Sequence, residues 1–131
     1  MLQDTFGRVH DYLRISLTDH CNFRCAYCMP VEEMEWMPQS KLMSKEEILA
    51  LAQVFVGLGV KKIRLTGGEP LARKEFPWIL EHLAQLGVEL TLTTNGVLIH
   101  KHIEQLKAAG VRSVNVSCDT LNAEKFKKLT R

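Results

Sequence analysis

The sequence of 131 residues has no apolar run long enough to cross a bilayer, and its first residues lack the basic and apolar regions of a signal peptide. It also lacks an excess of one charge. The 17 basic and 15 acidic residues leave a formal net charge of +2, which argues against a broad surface for nucleic acid. These absences predict a cytoplasmic protein with neither a membrane nor nucleic acid as partner. The basic residues near the end are predicted to lie on a solvated helix face: Lys125, Lys127, Lys128 and Arg131.

Low-complexity stretches are also absent, and apolar residues make up 46% of the chain, enough for a core in one domain spanning residues 1–131. Apolar segments alternate between strand and helix character. The predicted strands are Tyr12 to Leu17, Lys62 to Thr66, Leu90 to Thr94 and Val111 to Ser117. Helices are predicted after a capping box at Ser44 and Glu47, after Pro77, around Ile103 to Lys107 and after Asn122. This alternation predicts an α/β fold of parallel β-α units.

Three of the four cysteines lie within eight residues, at Cys21, Cys25 and Cys28, with the spacing C-x3-C-x2-C. Cytosolic thiols stay reduced, so this cluster favours metal binding over disulfides. Three thiolates can hold a four-iron cube and leave one iron open to a small molecule. A zinc site completed by His20 is the alternative, but structural zinc usually takes four ligands in two pairs, and a second pair is missing. The fourth cysteine, Cys118, is predicted to be a small buried residue on the last strand.

Polar and glycine-rich motifs follow each predicted strand. The cysteines follow the first strand, Gly67-Gly68 the second and Thr94-Asn95-Gly96 the third, while Ser117 ends the fourth. Parallel β-α units place ligands at the carboxyl ends of their strands, so these motifs are expected to meet at one rim. Two glycines without Cβ atoms would let a ligand approach the backbone there.

Two arginines, Arg14 and Arg64, stand in otherwise apolar strands. A buried guanidinium without a partner is costly, so each needs an acceptor. An internal salt bridge would supply one. A substrate phosphate or purine would supply another, because the guanidinium fork matches phosphate and carbonyl acceptors.

The cysteine loop with Tyr27 before its last cysteine, together with Gly67-Gly68-Glu69-Pro70, resembles the radical S-adenosylmethionine enzymes. Further segments resemble one group among them, the GTP 3′,8-cyclase family of molybdenum-cofactor biosynthesis. These segments are Phe6-Gly7-Arg8, Tyr12 to Cys25, Met29-Pro30, Lys62 to Leu71, Thr93 to Gly96 and Asn115 to Asp119. The resemblance therefore runs along essentially the whole chain.

The resemblance implies a [4Fe–4S] cluster on Cys21, Cys25 and Cys28 and S-adenosylmethionine as second cofactor. It assigns S-adenosylmethionine to Tyr27, Gly67, Gly68, Glu69 and Ser117, and GTP to Arg14, Arg64 and Thr93. The implied reaction is reductive cleavage of S-adenosylmethionine to a 5′-deoxyadenosyl radical, which takes the 3′ hydrogen of GTP so that the sugar carbon closes onto C8 of guanine. The product would pass to the next enzyme of that pathway, cyclic pyranopterin monophosphate synthase.

The sequence departs from the family in ending at Arg131, without the second C-x2-C cluster and the further β-α units that the family carries. It therefore predicts the first half of a partial TIM-type barrel, a radical S-adenosylmethionine core fragment that does not cyclise GTP by itself. An open parallel sheet has an unpaired edge, so self-association is expected. Two other functions stay open: a radical S-adenosylmethionine enzyme with a different substrate, and a non-catalytic iron–sulfur-binding module.

Overall fold

The computed structural model describes residues 1–21, 23 and 35–130. Its centre is a sheet of four parallel strands in the order β1-β2-β3-β4: β1 (Tyr12–Ser16), β2 (Lys62–Thr66), β3 (Glu89–Thr94) and β4 (Ser113–Val116). The helices are α1 (Lys45–Gly57), α2 (Phe76–Ala84), α3 (Ile103–Ala108) and α4 (Ala123–Thr130). Each of the first three helices connects two neighbouring strands, which confirms the predicted α/β fold of parallel β-α units.

The helix starts follow the signals in the sequence. In the capping box before α1, the Glu47 backbone N–H donates to the Ser44 hydroxyl at 3.1 Å, and the Ser44 N–H donates to the Glu47 carboxylate at 2.8 Å. Pro77 lies in the first turn of α2, and the Asn122 side chain accepts from the Lys125 N–H before α4. None of the helices in the described ranges is long and apolar enough to cross a membrane.

The core lies on one face of the sheet. Right-handed crossovers between strands that are neighbours in both chain and sheet place their helices on the same face. Because side chains alternate along a strand, each strand then has one face toward the helices and one away from them. The buried apolar core comprises Ile15, Leu17, Ile48, Ala52, Val60, Ile63, Leu65, Leu71, Phe76, Ile79, Leu80, Leu83, Leu90, Leu92 and Leu106. The opposite face carries polar side chains, among them those of Arg14, Arg64 and Thr93.

The last strand and the fourth cysteine differ from the prediction. Strand β4 covers only Ser113–Val116, and Cys118 lies two residues beyond it, in the loop before α4. Cys118 is exposed rather than buried, and its thiol donates to the Thr120 carbonyl at 3.3 Å. The prediction that Cys118 is a buried strand residue is therefore wrong. The alternation of apolar and polar residues in the sequence continues beyond Val116. The end of β4 is set by where its pairing with β3 stops, which the alternation does not show.

Candidate functional site

The segments after the strands meet at the carboxyl end of the sheet, as predicted. Backbone hydrogen bonds carry the pairing of β1 and β2 beyond the strands: the Leu17 N–H donates to the Thr66 carbonyl at 3.0 Å, and the Gly68 N–H to the Thr18 carbonyl at 2.7 Å. On the other side, the Ser117 N–H donates to the Thr94 carbonyl at 2.9 Å. These bonds continue the strand pairing into the first residues of the loops.

The Gly67-Gly68 turn packs directly against the segment that leads into Cys21. A Cβ atom added at Gly68 would lie 2.2 Å from the His20 carbonyl oxygen, and one added at Gly67 would lie 2.6 Å from the Thr18 carbonyl oxygen. Gly67 also has φ +140°, a conformation that side chains disfavour. The absence of side chains therefore serves the close contact of two backbone segments within this chain.

Two backbone N–H groups of this turn are already used inside the chain. The Gly68 N–H donates to Thr18, and the Glu69 N–H donates to the His20 carbonyl at 2.8 Å. In the part of the chain that the structure describes, no hydrogen bond uses the carbonyl oxygens of Gly67 and Gly68. These two carbonyl oxygens are acceptors, which suits a ligand with a cationic end.

The Glu69 side chain is fully buried, with 0% of its surface exposed. One carboxylate oxygen accepts from the Thr94 hydroxyl at 2.6 Å and the Leu71 N–H at 3.2 Å, and the other accepts from the Asn95 N–H at 2.8 Å. Three donors satisfy a group that only accepts. Glu69 thus ties the turn after β2 to the turn after β3, and its carboxylate is directed into the protein.

The two ends of the cysteine loop are held together. The Asp19 carboxylate accepts from the Met37 N–H at 2.6 Å, and the His20 ring stacks on Trp36 with 4.9 Å between ring centroids. Residues 22 and 24–34 lie outside the described part of the chain. The predicted site residues Cys25, Tyr27 and Cys28 are among them. His20, the alternative zinc ligand, has its imidazole placed against Trp36, with Nε2 3.7 Å from the Asp19 carboxylate.

Arg73 holds the chain just before this loop. Its guanidinium donates to the Leu17 carbonyl at 2.6 Å and the Met43 carbonyl at 2.7 Å, and it also pairs with the Glu75 carboxylate at 3.2 Å. The Arg73 side chain is only 8% exposed. Its charge-assisted bonds therefore secure the path of the chain between β1 and Cys21.

Cys21 is half-buried, and two N–H donors lie near its sulfur. The Phe23 N–H lies 3.4 Å and the Asn95 side-chain amide nitrogen 3.9 Å from Cys21 Sγ. N–H donors suit a sulfur that carries negative charge, as a metal-bound thiolate does. Within residues 1–21, 23 and 35–130, no group of three or more His, Cys, Asp and Glu side chains could hold a metal ion. The donor chemistry at Cys21 thus fits a metal-bound thiolate, such as a ligand of an iron–sulfur cluster.

The predicted substrate residues share the polar face of the sheet. Arg14 and Arg64 are direct neighbours across β1 and β2, and the Arg64 guanidinium donates to the Thr93 hydroxyl on β3 at 3.0 Å. Arg64 also donates to the hydroxyl of Tyr12, whose ring packs 5.4 Å from the Lys62 ammonium. These contacts bring Arg64 and Thr93 into one cluster, with Arg14 beside it.

The arginines of this cluster have no acidic partner among the described residues. No ion pair in residues 1–21, 23 and 35–130 involves Arg14 or Arg64, although neighbouring Lys62 lies 3.5 Å from the Glu89 carboxylate. The internal salt bridge that the sequence left open is therefore not found in this part of the chain. Two arginines at neighbouring positions of an open polar face favour an anionic ligand.

Two residues of the site were missed in the sequence analysis. Tyr12 precedes Arg14 by two positions on one strand, so strand periodicity places both on one face and could have identified it. Asn95 lies in a segment that was noted only for its position after β3, and its contact with Cys21 joins residues 74 positions apart. No local pattern signals that contact.

The comparison with protein families agrees with this arrangement. Residues 15–131 match the Radical SAM superfamily. The chain belongs to the radical SAM superfamily. This membership implies a [4Fe–4S] cluster and S-adenosylmethionine, the cofactors expected for the cysteine triplet and the glycine turn.

The curated relatives are similar along the whole chain. The GTP 3′,8-cyclase of Listeria monocytogenes is 47% identical over 133 residues, which cover 100% of this chain and 40% of the relative. The mitochondrial GTP 3′,8-cyclase of Arabidopsis thaliana is 53% identical over 133 residues, which cover 100% of this chain and 34% of the relative. The chain thus spans two fifths or less of the length of these relatives.

Solved radical SAM structures share the fold. Streptococcus suis SuiB bound to its precursor peptide SuiA superposes with a TM-score of 0.73 at 22% identity, covering 91% of this chain and 26% of SuiB. SuiB bound to S-adenosylmethionine superposes with a TM-score of 0.64 at 26% identity, covering 91% of this chain and 27% of SuiB. The four-stranded sheet is therefore part of a radical SAM barrel fold.

Proposed function

We propose that this chain forms the iron–sulfur and S-adenosylmethionine end of a GTP 3′,8-cyclase, an enzyme of molybdenum-cofactor biosynthesis, with residues 1–131 as its radical SAM core portion. The observation that carries this proposal is the arginine pair: Arg14 and Arg64 lie side by side on the polar face, with Arg64 bonded to Thr93. An anionic nucleotide fits that cluster. The high identity to enzymes named GTP 3′,8-cyclase supports the choice of GTP.

Cys21, Cys25 and Cys28 would hold the cluster, which supplies the electron for reductive cleavage of S-adenosylmethionine when it is bound. The Gly67 and Gly68 carbonyl groups would accept from the ammonium end of S-adenosylmethionine, with Ser117 at the end of β4 and Tyr27 in the cysteine loop as further contacts. Glu69 would act within the protein by holding the turn after β2 against the turn after β3. The protein would thus bind and orient both ligands, while the cofactors carry the chemistry.

GTP would lie on the polar face, below the strand ends. Arg64 is oriented by Thr93 and by the Tyr12 hydroxyl, so its remaining N–H groups can meet an acceptor without first being ordered. Arg14, on the neighbouring strand, is exposed and would add the second positive charge. The two residues would together set affinity for the anionic or carbonyl groups of the substrate.

The proposal includes a cytoplasmic location, self-association and transfer of the product to cyclic pyranopterin monophosphate synthase. Self-association is supported by β4, an edge strand of the described sheet, where Val116 is 54% exposed. Val111 and Val114, in contrast, pack against the core. Light scattering should therefore find a dimer or larger species, and Val116→Lys should shift it toward monomer, whereas a monomeric wild type would contradict self-association.

The central experiment is anaerobic reconstitution of the chain with iron and sulfide. Cys21→Ala, Cys25→Ala and Cys28→Ala should each lose bound iron and visible charge-transfer absorption. Cys118→Ala is the matched control and should retain both, because Cys118 is exposed and lies in the loop beyond β4. Full iron content in all three triplet variants would rule out the cluster.

Two further measurements test the reaction and the substrate. With the cluster reduced, release of methionine and 5′-deoxyadenosine would demonstrate S-adenosylmethionine cleavage, and its absence would favour a non-catalytic iron–sulfur module. Calorimetry with GTP and ATP then tests the nucleotide. Equal or undetectable binding of the two would favour a radical SAM enzyme with a different substrate.

A further inference from the structure

Asn95 connects the loop after β3 to the first cysteine of the triplet. Its side-chain amide nitrogen lies 3.9 Å from Cys21 Sγ, at the long end of the range for a hydrogen bond to sulfur. Cys21 follows β1 and Asn95 follows β3, so this contact passes over the end of β2. It is a link between two loops that the sheet alone does not join.

The orientation of the Asn95 side chain is determined by its other contacts. Its Oδ1 accepts from the Val97 N–H at 3.1 Å, a turn in which an Asn side chain bonds to the backbone two residues later. An amide whose oxygen is committed in this way directs its NH₂ group, the donor, toward Cys21. The Asn95 backbone N–H is in turn anchored by the buried Glu69 carboxylate at 2.8 Å.

A hydrogen bond from an uncharged donor stabilises a thiolate most when the attached cluster carries the most negative charge. Reduction of an iron–sulfur cluster adds an electron, so donors to its sulfur atoms favour the reduced form and raise the reduction potential. An amide held in place before the cluster is reduced needs no rearrangement to do so.

We propose that Asn95 is a positioning residue for the iron–sulfur cluster, whose amide N–H···S bond to Cys21 holds this thiolate and raises the reduction potential of the cluster. The inference rests on the proposed function, because it requires a cluster on Cys21. Glu69 is the buried support that holds Asn95 in the necessary position.

Two variants remove the donor and keep the turn. Asn95→Ser and Asn95→Asp each retain an oxygen that accepts from the Val97 N–H, but neither retains the NH₂ group. Asn122→Asp is the matched control, since it adds the same charge as Asn95→Asp at the N-cap of α4, where Asp caps as well as Asn.

The measurement is the midpoint potential of the reconstituted cluster, followed by electron paramagnetic resonance during a redox titration. Asn95→Ser should lower the equilibrium constant for reduction about tenfold, a shift of about 59 mV to more negative potential for one electron. Asn95→Asp should shift it further, because a carboxylate also repels the added electron, while Asn122→Asp should match the wild type. Variants that melt like wild type but fail to load iron would support the holding role of Asn95.

Unchanged potential in loaded Asn95→Ser would overturn the inference. A wild type that binds no iron–sulfur cluster would instead overturn the proposed function, so the two failures are distinguishable. If the Asn95 variants do not fold, a measurement on the chain with Asn95 intact tests the contact. Asn22→Ser first removes the asparagine next to Cys21 in the sequence. With ¹⁵N in the remaining asparagine side chains, the reduced cluster should then show hyperfine coupling to an amide nitrogen. Absence of that coupling would refute the contact.

Discussion

The Glu69 carboxylate accepts a 2.6 Å hydrogen bond from the hydroxyl of Thr94, 25 residues later in the chain, and both side chains are buried. The same carboxylate holds the Asn95 backbone. One acidic side chain thereby fixes the glycine turn after β2 relative to the turn after β3. The proposed S-adenosylmethionine contacts and the proposed cluster contact share this support.

We expect Glu69→Gln to destabilise the protein by about 2 kcal/mol, because the amide NH₂ would face a buried donor that the carboxylate now satisfies. Urea denaturation measures the change. Glu81→Gln, at an exposed position on α2, is the control and should stay within about 0.5 kcal/mol of wild type. Equal stability of the two variants would show that the Glu69 bonds contribute little.

Gly68→Ala should both destabilise the fold and impair iron loading. Its Cβ would lie 2.2 Å from the His20 carbonyl oxygen and 2.5 Å from that of Asp19, so the segment leading into Cys21 must shift. We expect a loss of about 1–3 kcal/mol, as for overpacked sites, and reduced iron content after reconstitution.

Gly57→Ala is the matched control for that variant. Gly57 ends α1, and a Cβ there would meet nothing within 4 Å, so this change should be neutral or slightly stabilising. If Gly68→Ala loads iron and melts like Gly57→Ala, the close packing of the turn is not needed for the cysteine loop.

Arg64→Met should weaken GTP binding tenfold or more, since hydrogen bonds from a charged group contribute about 1.5–3 kcal/mol. Calorimetry on the chain measures the effect. Arg112→Met removes an equal charge from an exposed position just before β4 and should leave affinity nearly unchanged. A similar loss in both variants would indicate attraction by overall charge rather than a site at Arg64.

The turn at Asp4 should make a small part of the stability depend on pH. A backbone hydrogen bond from Arg8, aided by the Arg8 and His10 side chains and the Phe6 N–H, holds the Asp4 pKa below 3.8. A lowered folded-state pKa contributes stability above pH 3.8 that is lost as the pH falls through the folded value. Asp4→Asn should therefore melt below wild type at neutral pH and together with it in strong acid. An equal gap at both pH values would exclude this linkage.

The sequence alone predicted the order of the elements and the rim at which the motifs meet, but not the bounds of β4. Periodicity and capping residues are local signals. The structure therefore has β2 and the start of α1 at the residues that the sequence predicted. Parallel strands share one carboxyl end, so the order of motifs along the chain already implied that the cysteine loop, Gly67-Gly68 and Ser117 would meet.

Contacts between loops could be decided only by the tertiary structure. The burial of Glu69, the Asn95–Cys21 contact and the Tyr12–Arg64–Thr93 cluster each depend on how neighbouring strands align and how their loops pack. The exposure of Cys118 depends on where β4 stops pairing with β3, which no run of residues within β4 encodes. Sequence patterns record the neighbours of a residue along the chain, whereas these features arise from backbone hydrogen bonds and side-chain packing between residues distant in sequence.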